Sequence, residues 1–170
     1  SYSLAADLNS PTILEVLTEE ISVKDAIKKA RADVISSNKA LAGADAFIAD
    51  TGKEYRLKEA LEKIAKNYDF CIIDTPPARD NLTISALFCA DEVLIPVRCD
   101  NFSLEGFETT LAMILDLETR EDVKIDILGV VLTQVERTAA VNLVRQMFEE
   151  NPEYASVLFK TGIRKGSAVP

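Results

Sequence analysis

The stretch Tyr68-Asp69-Phe70-Cys71-Ile72-Ile73-Asp74-Thr75-Pro76-Pro77 constrains the fold more than any other ten residues. An apolar run leads straight into one acid and then into a Thr-Pro-Pro turn. Such a run predicts a strand buried on both faces, as in a parallel sheet. The prolines cannot extend the ladder, so the chain must turn after Thr75. Open α/β sheets place their ligands at the carboxyl ends of their strands. Asp74 stands at such an end, where an acid can hold a magnesium ion, usually through water. An ordinary buried strand capped by an Asp turn accounts for these ten residues equally well.

Alternation of strands and helices continues on both sides of this stretch. Val23, Ala26, Ile27 and Ala30 share one face of a predicted helix, with Ser22 as N-cap in a Ser-Val-Lys-Asp capping pattern. A short strand is expected at 33–36, and an Ala-rich helix from Lys39 to Asp50. Leu57, Ala60, Leu61, Ile64 and Ala65 follow helical spacing. A short helix over 81–89, with Asp80 as its favoured N-cap, precedes a strand at 93–97. A long helix from Ser103 to about Thr119, a strand over 124–133 and a helix around Ala140–Phe148 come next. Tyr154 to Lys160 is predicted as a last strand. The expected fold class is α/β: a doubly wound, mostly parallel sheet flanked by helices, with right-handed crossovers. A length of 170 residues predicts one domain.

The acid-tipped strand is followed by the loop Ala78-Arg79-Asp80-Asn81, the helix from Leu82 to Leu87, and Ala90-Asp91-Glu92-Val93-Leu94-Ile95-Pro96-Val97. Further along come Leu104-Glu105-Gly106 and Ile127-Leu128-Gly129-Val130-Val131-Leu132-Thr133, and earlier stands Glu54-Tyr55-Arg56-Leu57-Lys58-Glu59-Ala60-Leu61. In this order and spacing, the motifs resemble the ParA family of partition ATPases, relatives of the MinD septum-placing ATPases. The resemblance implies a phosphate-loop NTPase fold. The family's glycine-rich phosphate loop does not occur in these 170 residues. The glycines are Gly43, Gly52, Gly106, Gly129, Gly162 and Gly166, and no two have the loop's spacing. Gly52-Lys53 is followed by Glu54 rather than Ser or Thr. The family's acidic segment that positions the attacking water is absent as well. The expectation is therefore a single ParA-like domain over 1–170, incomplete at both ends.

The resemblance implies ATP and Mg2+ as cofactors of an intact parent, with Asp74 as the metal-associated catalytic acid. Phosphoryl transfer depends on positioning and charge stabilisation by the phosphate loop, its lysine and magnesium. This chain alone is expected neither to bind ATP tightly nor to hydrolyse it. The loop Thr133-Gln134-Val135-Glu136-Arg137-Thr138 follows a strand end. The resemblance places it near the nucleotide base, with Gln134 contacting adenine and Thr133 packing beside it. A polar βα loop without ligand is the plainer alternative. Arg137 resembles a family arginine that contributes to DNA binding, and Arg164 and Lys165 fall near a second basic position of that surface. Solvated surface charge is the plainer reading of each. The tail Thr161-Gly162-Ile163-Arg164-Lys165 departs from the commoner family wording, which has a proline after the isoleucine.

Composition limits the other possibilities. There are no histidines, so histidine-based triads do not apply. Cys71, Cys89 and Cys99 form no CxxC pair, which argues against zinc and fits a reduced, cytoplasmic setting. Cys71 reads as a buried small hydrophobe. A net charge of −9 excludes a chain coated in positive charge for nucleic acid, although a local patch remains compatible with it. No apolar run approaches membrane-spanning length. The expected function is DNA partition, plasmid or chromosomal. It involves ATP-dependent homodimerisation, nonspecific DNA binding, nucleoid association, a DNA-bound ParB-like activator and no membrane. The principal alternative is a non-catalytic interaction module that lost the nucleotide site. MinD-like membrane cycling is a weaker third, because it needs a basic amphipathic C-terminal helix.

Overall fold

The computed structural model describes residues 11–48, 52–75, 80–100, 103–121, 123–136 and 138–166. They form two compact units, 1–89 and 90–170, each described in its own terms.

The first unit is mostly helical. It contains α1 (Ile13–Leu17), α2 (Val23–Ala26), β1 (Lys28–Lys29), β2 (Asp33–Val34), α3 (Leu41–Ile48), α4 (Arg56–Glu62) and α5 (Asn81–Cys89). Helix α1 starts on a full capping box. The Leu14 N–H donates to Thr12 Oγ1 at 3.3 Å, and the Thr12 N–H donates to Glu15 Oε2 at 2.8 Å. That pairing satisfies amide groups a helix start otherwise leaves open. Val16, Val23, Ala26, Ala60 and Ile64 form one buried cluster, and Leu17, Ala44, Leu57 and Ala86 form another. Asp80 caps α5 as expected, accepting from the Thr83 N–H at 2.9 Å.

Helix α2 is shorter than the apolar spacing predicts. Ile27 turns to an extended conformation, and Lys28–Lys29 pairs antiparallel with Asp33–Val34. The predicted strand at 33–36 is thus one arm of a short hairpin. Ile27 and Ile35 both pack on the first cluster, so burial of the two isoleucines decides against a longer helix. Asp33 receives the Tyr68 hydroxyl at 2.6 Å and the Lys29 ammonium.

The second unit contains β3 (Glu92–Arg98), α6 (Ser103–Glu121), β4 (Asp126–Thr133), α7 (Ala139–Glu150) and α8 (Pro152–Val157). Strands β3 and β4 are parallel, with Ile95 opposite Val130 and Val97 opposite Leu132, and a one-residue irregularity after Val93. Phe107, Ile114 and Leu117 of α6, and Val141, Val144 and Phe148 of α7, are buried. Phe107, Phe148 and Tyr154 form an aromatic trio with ring centres 5.0 to 6.0 Å apart. Along β3 burial alternates, with Ile95 and Val97 covered and Leu94 open. Along β4, residues 129–132 are all buried.

The predicted strand at 154–160 is a helix for its first half. Asn151 accepts the Glu153 N–H at 3.0 Å and Pro152 opens α8, a pairing of cap and proline that starts helices. From Leu158 the chain runs along β4 instead. The Phe159 N–H donates to Val130 O at 2.9 Å, and the Ile163 N–H to Leu132 O at 2.8 Å. This tail lies so close to β4 that Gly129 is required. A Cβ there would meet Phe159 Cε1 at 2.6 Å and Val157 O at 2.9 Å.

Gly129→Ala is expected to cost about 1–3 kcal/mol, the range of an overpacked core, read as a lowered urea midpoint. Asp33 supplies a pH dependence. Hydrogen bonds from Lys29 and then Tyr68 hold its carboxyl below the ordinary value of 3.8. A depressed folded-state value gives stability that is present above 3.8 and lost as pH falls through the folded value. Asp33→Asn is expected to flatten the loss of denaturant stability between neutral and acid pH, and an unchanged acid slope would contradict this.

Candidate functional site

Two strand ends in the second unit build a polar rim. Arg98, Cys99 and Asp100 follow β3, and Gln134 to Thr138 link β4 to α7. Thr138 caps α7, accepting the Val141 N–H at 3.4 Å. A cavity of about 160 Å³ opens among Arg98, Asp100, Gln134, Glu136, Thr138 and Lys165. Ordinary ligand pockets hold roughly 300–1,000 Å³, so this space suits one ring or one small anion.

Thr133 and Gln134 play different parts in this rim. The Thr133 hydroxyl donates to Val97 O at 3.3 Å, so it braces the end of β3. Gln134 is exposed on the cavity wall with φ +53°, in the left-handed region that non-glycine residues rarely adopt. Val135 then fastens the loop to the tail. Its N–H donates to Ile163 O at 3.0 Å, and the Lys165 N–H donates to Val135 O at 3.2 Å.

Of the predicted cations, Lys165 lies on the cavity and pairs with Glu136, Nζ to Oε1 at 2.6 Å. Arg164 is exposed on the tail segment bridged to Val135. Arg137 falls outside the described residues. Arg98 lies 3.6 Å from Asp100, Nε to Oδ2. Burial raises the Cys99 thiol above its ordinary value, against the lowering effect of Arg145. A thiol so held is a poor nucleophile at neutral pH.

Asp74 belongs to the first unit, and here the structure corrects the expectation. Residues 68–75 form no strand. Phe70 and Ile72 are 88% and 92% exposed, and Cys71, expected to be buried, is exposed too. Tyr68 packs against the Val16–Ile64 cluster and Ile73 against the Leu17–Leu57 cluster. The reason is hydrogen bonding. A strand exists only where neighbours take up its N–H and C=O groups, and no described residue pairs with this segment. Asp74 itself is solvent-exposed. It offers one hard oxygen ligand suited to magnesium. No group of three or more metal-ligating side chains occurs among the described residues. Arg79 and the two prolines after Thr75 lie outside the described residues.

Arg98, Asp100 and Glu136 were missed from the sequence. The signal was present, since the rule that drew attention to Gln134 applies equally to the end of β3. A second cavity, about 300 Å³, opens in the first unit beside Val16, Glu19, Ser22, Arg56 and Lys63. Arg56 already donates to Leu17 O at 3.0 Å and pairs with Glu19 at 2.9 Å there. No described helix is long and apolar enough to cross a membrane.

A family model described as an AAA domain matches residues 1–127. The sporulation initiation inhibitor protein Soj of Bacillus subtilis is 38% identical over 146 residues, covering 84% of this chain and 57% of that protein. The chromosome partitioning protein ParA of Caulobacter vibrioides is 36% identical over 132 residues, covering 74% and 49%. The chain thus spans about half the length of the curated relatives it matches. The cobyrinic acid a,c-diamide synthase of Mycobacterium smegmatis, solved with bound ADP and magnesium, superposes with a TM-score of 0.81 at 28% identity, over 89% of this chain and 64% of that one. Its parallel strands, flanking helices and family match together establish the fold as that of the phosphate-loop NTPases. The chain belongs to this AAA-domain family, among the ParA/MinD-like ATPases.

Proposed function

We propose that this chain carries the strand-end portion of a ParA-type positioning ATPase that acts in DNA partition. The observation that carries the reading is the left-handed Gln134 on the cavity wall, held at a strand end in a chain similar to Soj and ParA. In the whole protein, Gln134 would contact the nucleotide base while Thr133 fixes the strand ends beneath it. Asp74 would hold magnesium through water, and the phosphates and water would complete the ion's oxygen shell. Magnesium supplies charge neutralisation at the transferred phosphoryl group. ATP-dependent pairing of two copies would bring two rims together, so Arg137, Arg164 and Lys165 would act twice over on DNA phosphates. A ParB-like partner bound to DNA would stimulate hydrolysis, and binding to DNA would place the protein on the nucleoid. The interaction-module alternative gains nothing from the relatives, among which the Caulobacter vibrioides protein is named for chromosome partitioning.

Nucleotide binding tests this reading. The 170 residues contain no glycine-rich phosphate loop. Titration calorimetry with MgATP is expected to show no affinity in the micromolar range for this chain alone. In a longer protein that includes such a loop, Asp74→Asn is expected to lower ATP turnover about 10–100-fold, the usual scale for a disturbed metal shell. Micromolar binding by the 170 residues alone would overturn the account of the site.

Gln134 offers a separate test of side chain against backbone. Glycine tolerates the left-handed conformation, where other residues lose roughly 1 kcal/mol or more. Gln134→Gly is expected to leave the urea midpoint unchanged or raised, while weakening adenine-nucleotide binding by the longer protein. A lowered midpoint would show that the side chain holds the loop together instead.

A further inference from the structure

We propose that Glu136 sets the DNA affinity of the rim by competing with DNA phosphate for the Lys165 ammonium. The proposal rests on the reading of the rim as a DNA-contact surface, and adds to it a residue that restrains the contact.

Three observations support it. First, the pair is direct, Nζ to Oε1 at 2.6 Å. Second, the backbone presets it. Val135, next to Glu136, bonds to Ile163 and to Lys165 itself, so both partners stand on segments already laced together. Fixing the two backbones in advance lowers the entropy cost that normally cancels a surface ion pair. Third, both side chains remain partly open, 64% for Lys165 and 43% for Glu136. A phosphate can therefore reach the ammonium without any unfolding, and meets the carboxylate there as a rival of the same charge. A lysine ammonium has three donors and binds phosphate as a point charge. Its donors can be shared, but Glu136 removes the net positive charge that attracts a polyanion. An Arg98–Asp100 pair lines the same cavity. In a chain with net charge −9, two of the cations on this cavity thus stand beside acids.

The test is a double-mutant cycle read by fluorescence anisotropy with a random-sequence DNA duplex, at salt between about 50 and 200 mM. The proteins are a longer protein that includes a glycine-rich phosphate loop, studied with MgATP, its Glu136→Gln and Lys165→Ala variants and the double variant, each checked for an unchanged melting curve. Glu136→Gln is expected to bind about two- to fivefold more tightly, the scale of an exposed ion pair. Its dependence on log salt should steepen by about 0.9, one added phosphate contact. In the Lys165→Ala background the same substitution should have no effect. An equal gain in both backgrounds would overturn the proposal, because general charge removal would then explain it. No gain in either background, or no measurable binding by wild type and Glu136→Gln alike, would overturn it as well. The underlying reading fails separately: if Arg164→Ala/Lys165→Ala binds DNA as the wild type does, the rim is not the DNA surface at all.

Discussion

A β-strand has no structure of its own; it borrows structure from the strands beside it. Strand β4 shows what full borrowing achieves. It is parallel to β3 on one side and laced to the tail from Leu158 on the other, and residues 129–132 are all buried. Strand β3 has one described neighbour and alternates between covered and open residues. Residues 68–75 have none, and they form no strand, although their sequence is as apolar as that of β4. Phe70 and Ile72 stand in water, each forgoing about 1.5–3 kcal/mol of burial. Apolar composition therefore states what a segment needs, and backbone pairing decides whether the need is met.

The same distinction explains what the sequence disclosed. Helices α5, α6 and α7 appeared at nearly their observed bounds, because a helix satisfies its own hydrogen bonds and needs only one apolar stripe. Strands β3 and β4 were legible from apolar runs between turn residues. The errors fell where distant residues decide the outcome. The hairpin of β1 and β2 depends on Ile27 and Ile35 reaching the same cluster. Helix α8 carried a local signal, Asn151-Pro152-Glu153, which the expectation of a strand from Tyr154 to Lys160 left out. The capping box lay at Thr12–Glu15 in plain sequence, while attention went to Ser22, whose cap bond is a single one of 3.4 Å.

The candidate site was legible as residue types and positions, and much less so as geometry. Gln134 was expected beside a nucleotide base and Lys165 on a DNA-contact surface, and the two line one cavity. Nothing in the sequence indicated that Gln134 would take a left-handed backbone, or that Thr133 would use its hydroxyl on Val97. Local charge was also hidden. A lysine in a sequence looks available, but Lys165 is bonded to an acid only 29 positions away that the tail brings alongside. Net charge sums such residues without saying which of them cancel in space.

The division of the tail's labour follows from this packing. Gly129 and Gly162 let the tail approach β4 closely: a Cβ on Gly162 would meet Val135 Cγ2 at 2.8 Å and Leu132 O at 2.9 Å. That close approach allows the Val135 bonds to Ile163 and Lys165, which in turn put Lys165 beside Glu136. Two uncharged glycines thus fix where a cation stands. The rim's electrostatics are consequently a property of backbone packing. A substitution that pushes the tail away from β4 would alter the charge presented at the rim without touching a charged residue. Tail and loop share their hydrogen bonds, so the position of Gln134 on the cavity wall depends on the same lacing. Gln134 and Lys165 are then coupled through one short ladder, the bonds of Val135 to Ile163 and Lys165, one residue on either side of Arg164.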